Sequence, residues 1–471
     1  MSEIDFAFQP ALEQAKRIRQ KELSPLELLD FYLERIERYD SRVGSYFTVM
    51  PELARRDAQA KTEQLAATND PASLPPFFGV PLPIKDLNAV AQMPCSAGVA
   101  ALRDQIPEYE DGMVTKLRQA GFVLLGKTAT SQLGSMPYTE PNGFPPTRNP
   151  WHLEHTPGGS SGGAAAAVAA GLSPVAQGSD GGGSIRIPSA CCGLLGIKPS
   201  RGRISSAPVG DRLHGMATDG PIARTVADAA AMLDAMSGYI WGDPYWLGQP
   251  NPSFWEATHQ ATGSLRIAYA TSMPGLPPAS DIAKQAVLDT TQRLCELGHE
   301  ATEACPDFQG LVEPFTTIFA AAVSSAGMAK SALEPINRML AEKGEQISAG
   351  EYLQSIRQLQ ILARQIVGFF QDVDVLVLPV LLHPPIRVGE WSQLPLEEIL
   401  DRITRWIAPC PPFNATGQPA IALPAGFDGN GLPVSVQLVG KPAAEATLIA
   451  VASQLEAAYP WYQYYPEAFA G

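Results

Sequence analysis

Apolar residues recur along the chain with two periods, and the alternation between those periods sketches a fold before any chemistry is considered. Leu26, Leu29, Leu33 and Ile36 keep helical spacing. Ser24-Pro25-Leu26-Glu27 ahead of them reads as a capping box with proline at the first helical position, which predicts a helix over 25–39. A second helix is predicted over 51–68, closed by the proline-rich linker 71–76. From Gly79 the pattern changes: Val80, Leu82 and Ile84 alternate along a short strand that ends on Lys85-Asp86. Further along, the same reading predicts helices over 112–120, 164–170, 220–238, 281–297 and 443–458, and a nearly continuous helical stretch over 309–372. Strands are predicted over 122–125, 194–198, 265–269, 299–304, 374–379, 420–424 and 433–439. The stretches 134–157, 239–262 and 380–412 read as loops, the first and last rich in proline. Helices alternating with strands point to an α/β fold in which helices cover a sheet. No repeat or long linker divides the chain, so residues 1–471 are expected to form one domain. Its parts are N-terminal helices within 1–70, a core over about 79–230 and a variable region over about 239–412.

Composition narrows the class. A chain of 471 residues with 45% hydrophobic and 17% charged positions can bury a large core. Its formal net charge of −14 argues against nucleic acid as a partner, because phosphate binding needs a basic face. The start, Met1-Ser2-Glu3-Ile4-Asp5, is acidic and has no apolar stretch of the kind a secretory signal carries. No run of about 18 apolar residues suits a membrane span. The six cysteines lack paired C-x-x-C spacing, which favours reduced, mostly buried thiols and a cytoplasmic location.

Chemistry concentrates in two glycine-rich turns, Thr156-Pro-Gly-Gly-Ser160-Ser161-Gly-Gly163 and Gly178-Ser-Asp180-Gly181-Gly182-Gly183-Ser184-Ile-Arg186. Glycine lets the main chain turn tightly and aim successive N–H groups at one point, where negative charge can be held. The amides of Gly181, Gly182, Gly183 and Ser184 are expected to converge on a developing oxyanion. A serine attacks only if a base takes its proton. The six histidines sit in no patterned context. Lys85, among apolar neighbours that disfavour its charge, is the better base. These residues predict acyl transfer through an acyl-enzyme.

Other motifs fail on context. Gly121 to Thr128 spells a phosphate-binding loop, but a helix precedes it and strand formers fill it. His152 and His155 lie three apart in a proline-rich loop, a poor metal site. No metal or cofactor is expected. Gly158-Gly-Ser160-Ser-Gly162 also satisfies the serine elbow of α/β-hydrolase esterases, without the strand that should precede it.

Taken together, the blocks resemble the amidase signature family. The family carries G-G-S-S-G-G, then D-x-G-G-S-I-R, with an upstream lysine in G-[IV]-P-x-x-x-K-D, and all three stand here in order. Thr147–Trp151, Gly193–Pro199, Gly220–Asp228 and Asn414–Ala420 look like the family's flanking stretches. The resemblance implies a single α/β/α sandwich with a central mixed, twisted sheet, and a Ser-Ser-Lys triad. In that triad Ser184 is the nucleophile, Ser160, after a cis peptide, relays the proton, and Lys85 is the ultimate base. Ser161, Asp180 and Arg186 are implied as supports. Glycine at 181 departs from the bulkier residue often found there. The substrate pocket is expected between loop 134–138, helices 309–370 and loop 404–414, with Gly134, Met136, Phe315 and Trp406 touching an apolar or aryl group. The resemblance implies an amidase acting on a small-molecule amide, with a second copy of the chain as the one protein partner considered. Alternatives are the glutaminase A subunit of a tRNA-dependent amidotransferase and a non-catalytic homologue. The glutaminase would need a cation for the glutamine carboxylate, for which Arg357 and Arg364 are candidates.

Overall fold

A computed structural model describes residues 6–470, so the acidic start at Met1–Asp5 lies outside the described residues. The capping box forms as spelled: Glu27 N–H donates to Ser24 Oγ at 3.1 Å and Ser24 N–H to Glu27 Oε2 at 2.8 Å. The helix it starts runs from Pro25 to Val43 and stops at Gly44, whose left-handed φ of 67° suits a residue without a side chain. The second predicted helix spans Pro51–Ala67. A further helix, Ala11–Arg19, is capped from far away: the backbone N–H groups of Ala11 and Leu12 donate to the Asp228 carboxylate, each at 2.9 Å.

Two sheets carry the chemistry. β1 (Tyr46–Val49), β2 (Pro81–Lys85) and β3 (Val123–Thr128) form a small sheet in the order β1-β3-β2, with β2 and β3 parallel. The large sheet has eight strands: β4 (Val175–Asp180), β5 (Leu195–Lys198), β6 (Thr218–Ala223), β7 (Arg266–Tyr269), β8 (Glu300–Glu303), β9 (Val375–Pro379), β10 (Ala420–Phe427) and β11 (Pro433–Gly440). Their order is β4-β6-β5-β10-β11-β9-β7-β8, parallel at β9, β7 and β8 and antiparallel elsewhere, which is the expected mixed sheet. Lys85 thus lies on the small sheet, while the second glycine turn leaves β4 at the edge of the large one. The two meet where Lys85 N–H donates to Gln177 Oε1 of β4 at 2.9 Å. Between the serines, the helix Gly162–Ala169 is buried along its whole length. A Cβ on Gly163 would fall 2.6 Å from Ala129 O, so only glycine permits this approach to the small sheet.

Four predicted stretches differ from the structure. Residues 218–223 are strand β6, and the helix begins only at Val226, where Thr225 Oγ1 accepts from Asp228 N–H at 3.2 Å. Pro221 fits the strand because β5 pairs with β6 only at Ile222 and Ala223, so no partner on that side needs its missing N–H. The stretch 380–412 is not all loop: it holds a helix Leu396–Trp406 and a short one, Pro411–Ala415. Ile399, Ile403 and Trp406 form the buried stripe of the longer helix, a pattern masked in the sequence by flanking prolines. A single turn, Phe254–Ala257, interrupts the loop 239–262. The helical region 309–372 is three helices, Val312–Ser325, Pro335–Gln346 and Ala349–Phe369. All six cysteines are free, with Cys191, Cys192 and Cys410 buried, Cys95 and Cys305 half-buried, and Cys295 exposed rather than buried. Among the described residues no helix is long and apolar enough to cross a membrane.

Candidate active site

Strand β2 delivers Lys85 into a fully buried position. Its ammonium nitrogen lies 2.8 Å from Ser160 Oγ and 2.9 Å from Ser179 Oγ, with Ser179 O at 3.4 Å. Burial lowers the Lys85 pKa to about 7, against the pull of the Asp219 and Asp180 carboxylates and with the push of Arg212. At neutral pH a large share of this amine is therefore uncharged and able to accept a proton. The Gly159–Ser160 peptide is cis, as the resemblance implied. The hydrogen-bonding partner of Ser160 is an amine and not an imidazole, which removes the esterase elbow as an account of this turn.

Asp180 holds the second turn in shape. Its carboxylate accepts from the backbone N–H of Gly183 at 2.7 Å and of Ile185 at 3.2 Å, and from the Arg186 guanidinium through Nε and Nη2, both at 3.0 Å. Burial works to raise its pKa, but Arg186, with Lys198 and Asn414, holds it well below the usual carboxylate range. Arg186 spends its remaining donors on Asn414 Oδ1, Cys410 O and Gln437 Oε1. One expectation fails here: Gly183 cannot serve an oxyanion, because its only N–H is committed to Asp180. The amides of Gly181, Gly182 and Ser184 have no acceptor among the described residues. Ser161 ties the two turns together, its N–H donating to Ser184 O at 3.3 Å and its hydroxyl to Ser179 O at 3.2 Å.

Both serines open onto one cavity of about 850 Å³. Gly134, Met136 and Phe315 line it; Trp406 does not. Its indole is fully buried, donates to His383 O at 3.0 Å and packs against Trp391, while its neighbours Ile403, Thr404 and Ile407 face the cavity instead. Arg357 and Arg364 are exposed on the helix Ala349–Phe369 and take no part in the lining, so neither anchors a glutamine carboxylate. Lys127 of the phosphate-loop lookalike is buried in β3 and paired with Asp86 at 3.0 Å.

Four site residues carried no signal that sequence reading could use. Ser179 belongs to the second turn but looks like filler there. Gln177 and Asn88 both donate to the Asp219 carboxylate, at 3.0 and 3.4 Å, while also holding the Lys85 backbone. Asp219 stands opposite Ser179 in the β4–β6 register. Burial raises its pKa to about 6, with Arg212 opposing and Asp111 reinforcing. The Thr218-Asp219 pair reads locally as a turn, and only sheet pairing brings the carboxylate beside the lysine.

The amidase family model matches residues 27–449. A putative amidase from a Synechocystis species is 53% identical over 453 residues, covering 96% of this chain and 89% of that protein. The 6-aminohexanoate-cyclic-dimer hydrolase of Paenarthrobacter ureafaciens is 32% identical, covering 99% of this chain and 98% of that protein. A solved structure of a 6-aminohexanoate cyclic dimer hydrolase with substrate superposes with a TM-score of 0.92 at 31% identity, over 98% of this chain and 99% of the other. Matching of this extent, over both sheets and both glycine turns, means that the chain belongs to the amidase signature family and is an enzyme that hydrolyses amides.

Proposed function

We propose that the chain cleaves the C–N bond of a linear or cyclic carboxylic amide through an acyl-enzyme on Ser184, with Ser160 as relay and Lys85 as base. The observation that carries this reading is the buried 2.8 Å contact between Lys85 Nζ and Ser160 Oγ, at the wall of a cavity that Ser184 also lines. Ser184 Oγ attacks the carbonyl carbon as its proton passes to Ser160 and the Ser160 proton passes to neutral Lys85. The oxygen of the tetrahedral intermediate takes the free amides of the second turn; losing one such donor costs about 10²–10³ in turnover. On collapse the C–N bond breaks, the nitrogen receives a proton from Ser160, and Lys85 returns one to Ser160. Water then attacks the ester carbon, gives its proton along the same route, and Ser184 leaves reprotonated. The net products are a carboxylic acid and an amine, or ammonia from a primary amide.

The exposed positions of Arg357 and Arg364 favour a free-standing amidase, alone or paired with its own copy, over a glutaminase subunit. Labelling with a fluorophosphonate tests the assignment. Ser184→Ala should abolish labelling, and Ser160→Ala and Lys85→Ala should slow it. Labelling that survives Ser184→Ala and is lost in Ser160→Ala would overturn it.

A further inference from the structure

Four buried carboxylates are packed around the end of β2, and two of them are neutralised on the spot. Asp86, next to Lys85 in the chain, pairs with Lys127, and Asp180 pairs with Arg186. The other two, Asp111 and Asp219, are bridged by Asn88, whose Nδ2 donates to Asp111 Oδ2 at 2.8 Å and to Asp219 Oδ2 at 3.4 Å. Asp219 takes a further bond from Gln177 Nε2 at 3.0 Å, and Asp111 Oδ1 is buried without a partner among the described residues. A neutral amide cannot cancel the charge of two carboxylates. An amine beside them is drawn toward its ammonium form.

Arg212 supplies the missing cation. Its Nη2 donates to Asp111 Oδ2 at 3.0 Å, and among the described residues this is the one ion pair that the Asp111–Asp219 couple makes. Burial alone would lower the Arg212 pKa; Asp219 and then Asp111, with Tyr109 adding to them, more than offset it, so the guanidinium keeps its charge. Arg212 in turn opposes the burial that raises the Asp219 pKa, and it adds to the burial that lowers the Lys85 pKa.

The residue comes from neither sheet. It sits on the loop 199–217 between β5 and β6, which lines the cavity with Ser206, Val209, Leu213 and Arg212 itself. The two residues that follow it, Leu213 and His214, both have left-handed φ, 52° and 53°, a conformation that side chains disfavour. The turn is clamped at Gly215, whose N–H donates to Asp211 Oδ1 and whose O accepts from Arg201 Nε at 2.6 Å. A strained turn held in this way fixes where the guanidinium lies.

We infer that Arg212 is a positioning residue of the reaction: held by the strained turn of loop 199–217, its guanidinium cancels charge on the Asp111–Asp219 pair and leaves the Lys85 amine neutral, able to take the proton from Ser160. The inference rests on the reading of Lys85 as base. Charge then alternates along one wall, from Arg212 to Asp219 to Lys85. Asp219 stands opposite Ser179 in the β4–β6 register, and Ser179 Oγ is 2.9 Å from Lys85 Nζ. Arg212 moves no proton itself; it sets the pH above which the relay works.

The test is the pH profile of kcat/KM on a reference amide from about pH 5 to about pH 10, per active site counted by fluorophosphonate labelling at about pH 9. Arg212→Gln should move the acid limb toward alkali by about one unit, which at about pH 6 reads as about tenfold less of that variant's own plateau rate. Arg212→Lys should restore the parent limb. In Arg212→Gln combined with Asp219→Asn the limb should return to the parent position or below it, because the charge to be cancelled is gone. A residue that only packs would lower the plateau and leave the limb in place. An unmoved limb in Arg212→Gln, a shifted limb in Arg212→Lys or no return in the double variant overturns the inference and leaves the Lys85 reading standing. Arg212→Met, which keeps the aliphatic packing, carries the test if Arg212→Gln gives no labelled protein. Failure of both makes Arg212 a requirement of folding and overturns the inference. A parent profile that does not rise through about 7 overturns the Lys85 reading, and this one with it.

Discussion

Lys85 and Lys198 are both buried, both end strands, and burial lowers the pKa of each to about 7. What differs is where each nitrogen points. Lys198 Nζ donates to Pro199 O at 2.9 Å and makes no contact with a hydroxyl, whereas Lys85 reaches two serine hydroxyls within 2.9 Å. A third buried lysine, Lys127, is bound to a carboxylate. Burial alone therefore makes a neutral amine available in this protein, and the address of that amine decides whether it can serve as a base.

The sharpest way to break the comparison is to remove each amine. Lys85→Met should lower kcat on a reference amide by about 10³ or more, within the range expected for a lost general base in a coupled relay, while Lys198→Met should stay within about tenfold. Comparable losses in the two variants would end the distinction. Next in size is Asp180→Asn, which leaves the fully buried Arg186 without its carboxylate. A loss of about 3–5 kcal/mol in denaturant-measured stability is expected, together with weakened labelling at Ser184.

The pH dependence sharpens the contrast further. Lys85 acts as the neutral form, so kcat/KM should rise with pH through about 7. Asp219 favours the ammonium form of Lys85, so Asp219→Asn should lower that pKa and extend activity toward acid. An unchanged acid limb with reduced rate would make Asp219 a purely structural residue. The smallest effect is expected for Lys198 and reads as stability. Folded Lys198 binds fewer protons than the unfolded chain between about 7 and the ordinary lysine value near 10.5, so its contribution makes stability rise with pH across that window. Lys198→Met removes that slope, and its melting temperature should therefore gain most on the parent near pH 7 and least near pH 10.

The pattern of apolar positions was legible wherever an element depends on its own residues. The capping box at Ser24, the strand ending at Lys85 and the alanine helix between the serines all stand close to where the spacing places them. Reading failed where distant partners decide. Gly220–Ala223 looks like the start of a helix but becomes part of a strand because β4 pairs along it. Ala11–Arg19 is a helix whose cap is Asp228. Leu396–Trp406 hid between prolines because its buried stripe is short and its surroundings read as loop. The fall of Trp406 from the list of pocket residues has the same origin: its indole is tied by a hydrogen bond to His383 O and packs on Trp391, partners that only the tertiary structure supplies.

By itself the sequence determined the two glycine turns, their serines, the lysine that ends β2 and the order in which they occur. Glycine freedom and strand alternation act over a few residues, and local sequence is sufficient to specify them. Tertiary structure alone decided that Ser179 and Asp219 stand beside Lys85. Each of these depends on groups brought together across a sheet register or between two sheets, and sequence spacing does not encode that distance.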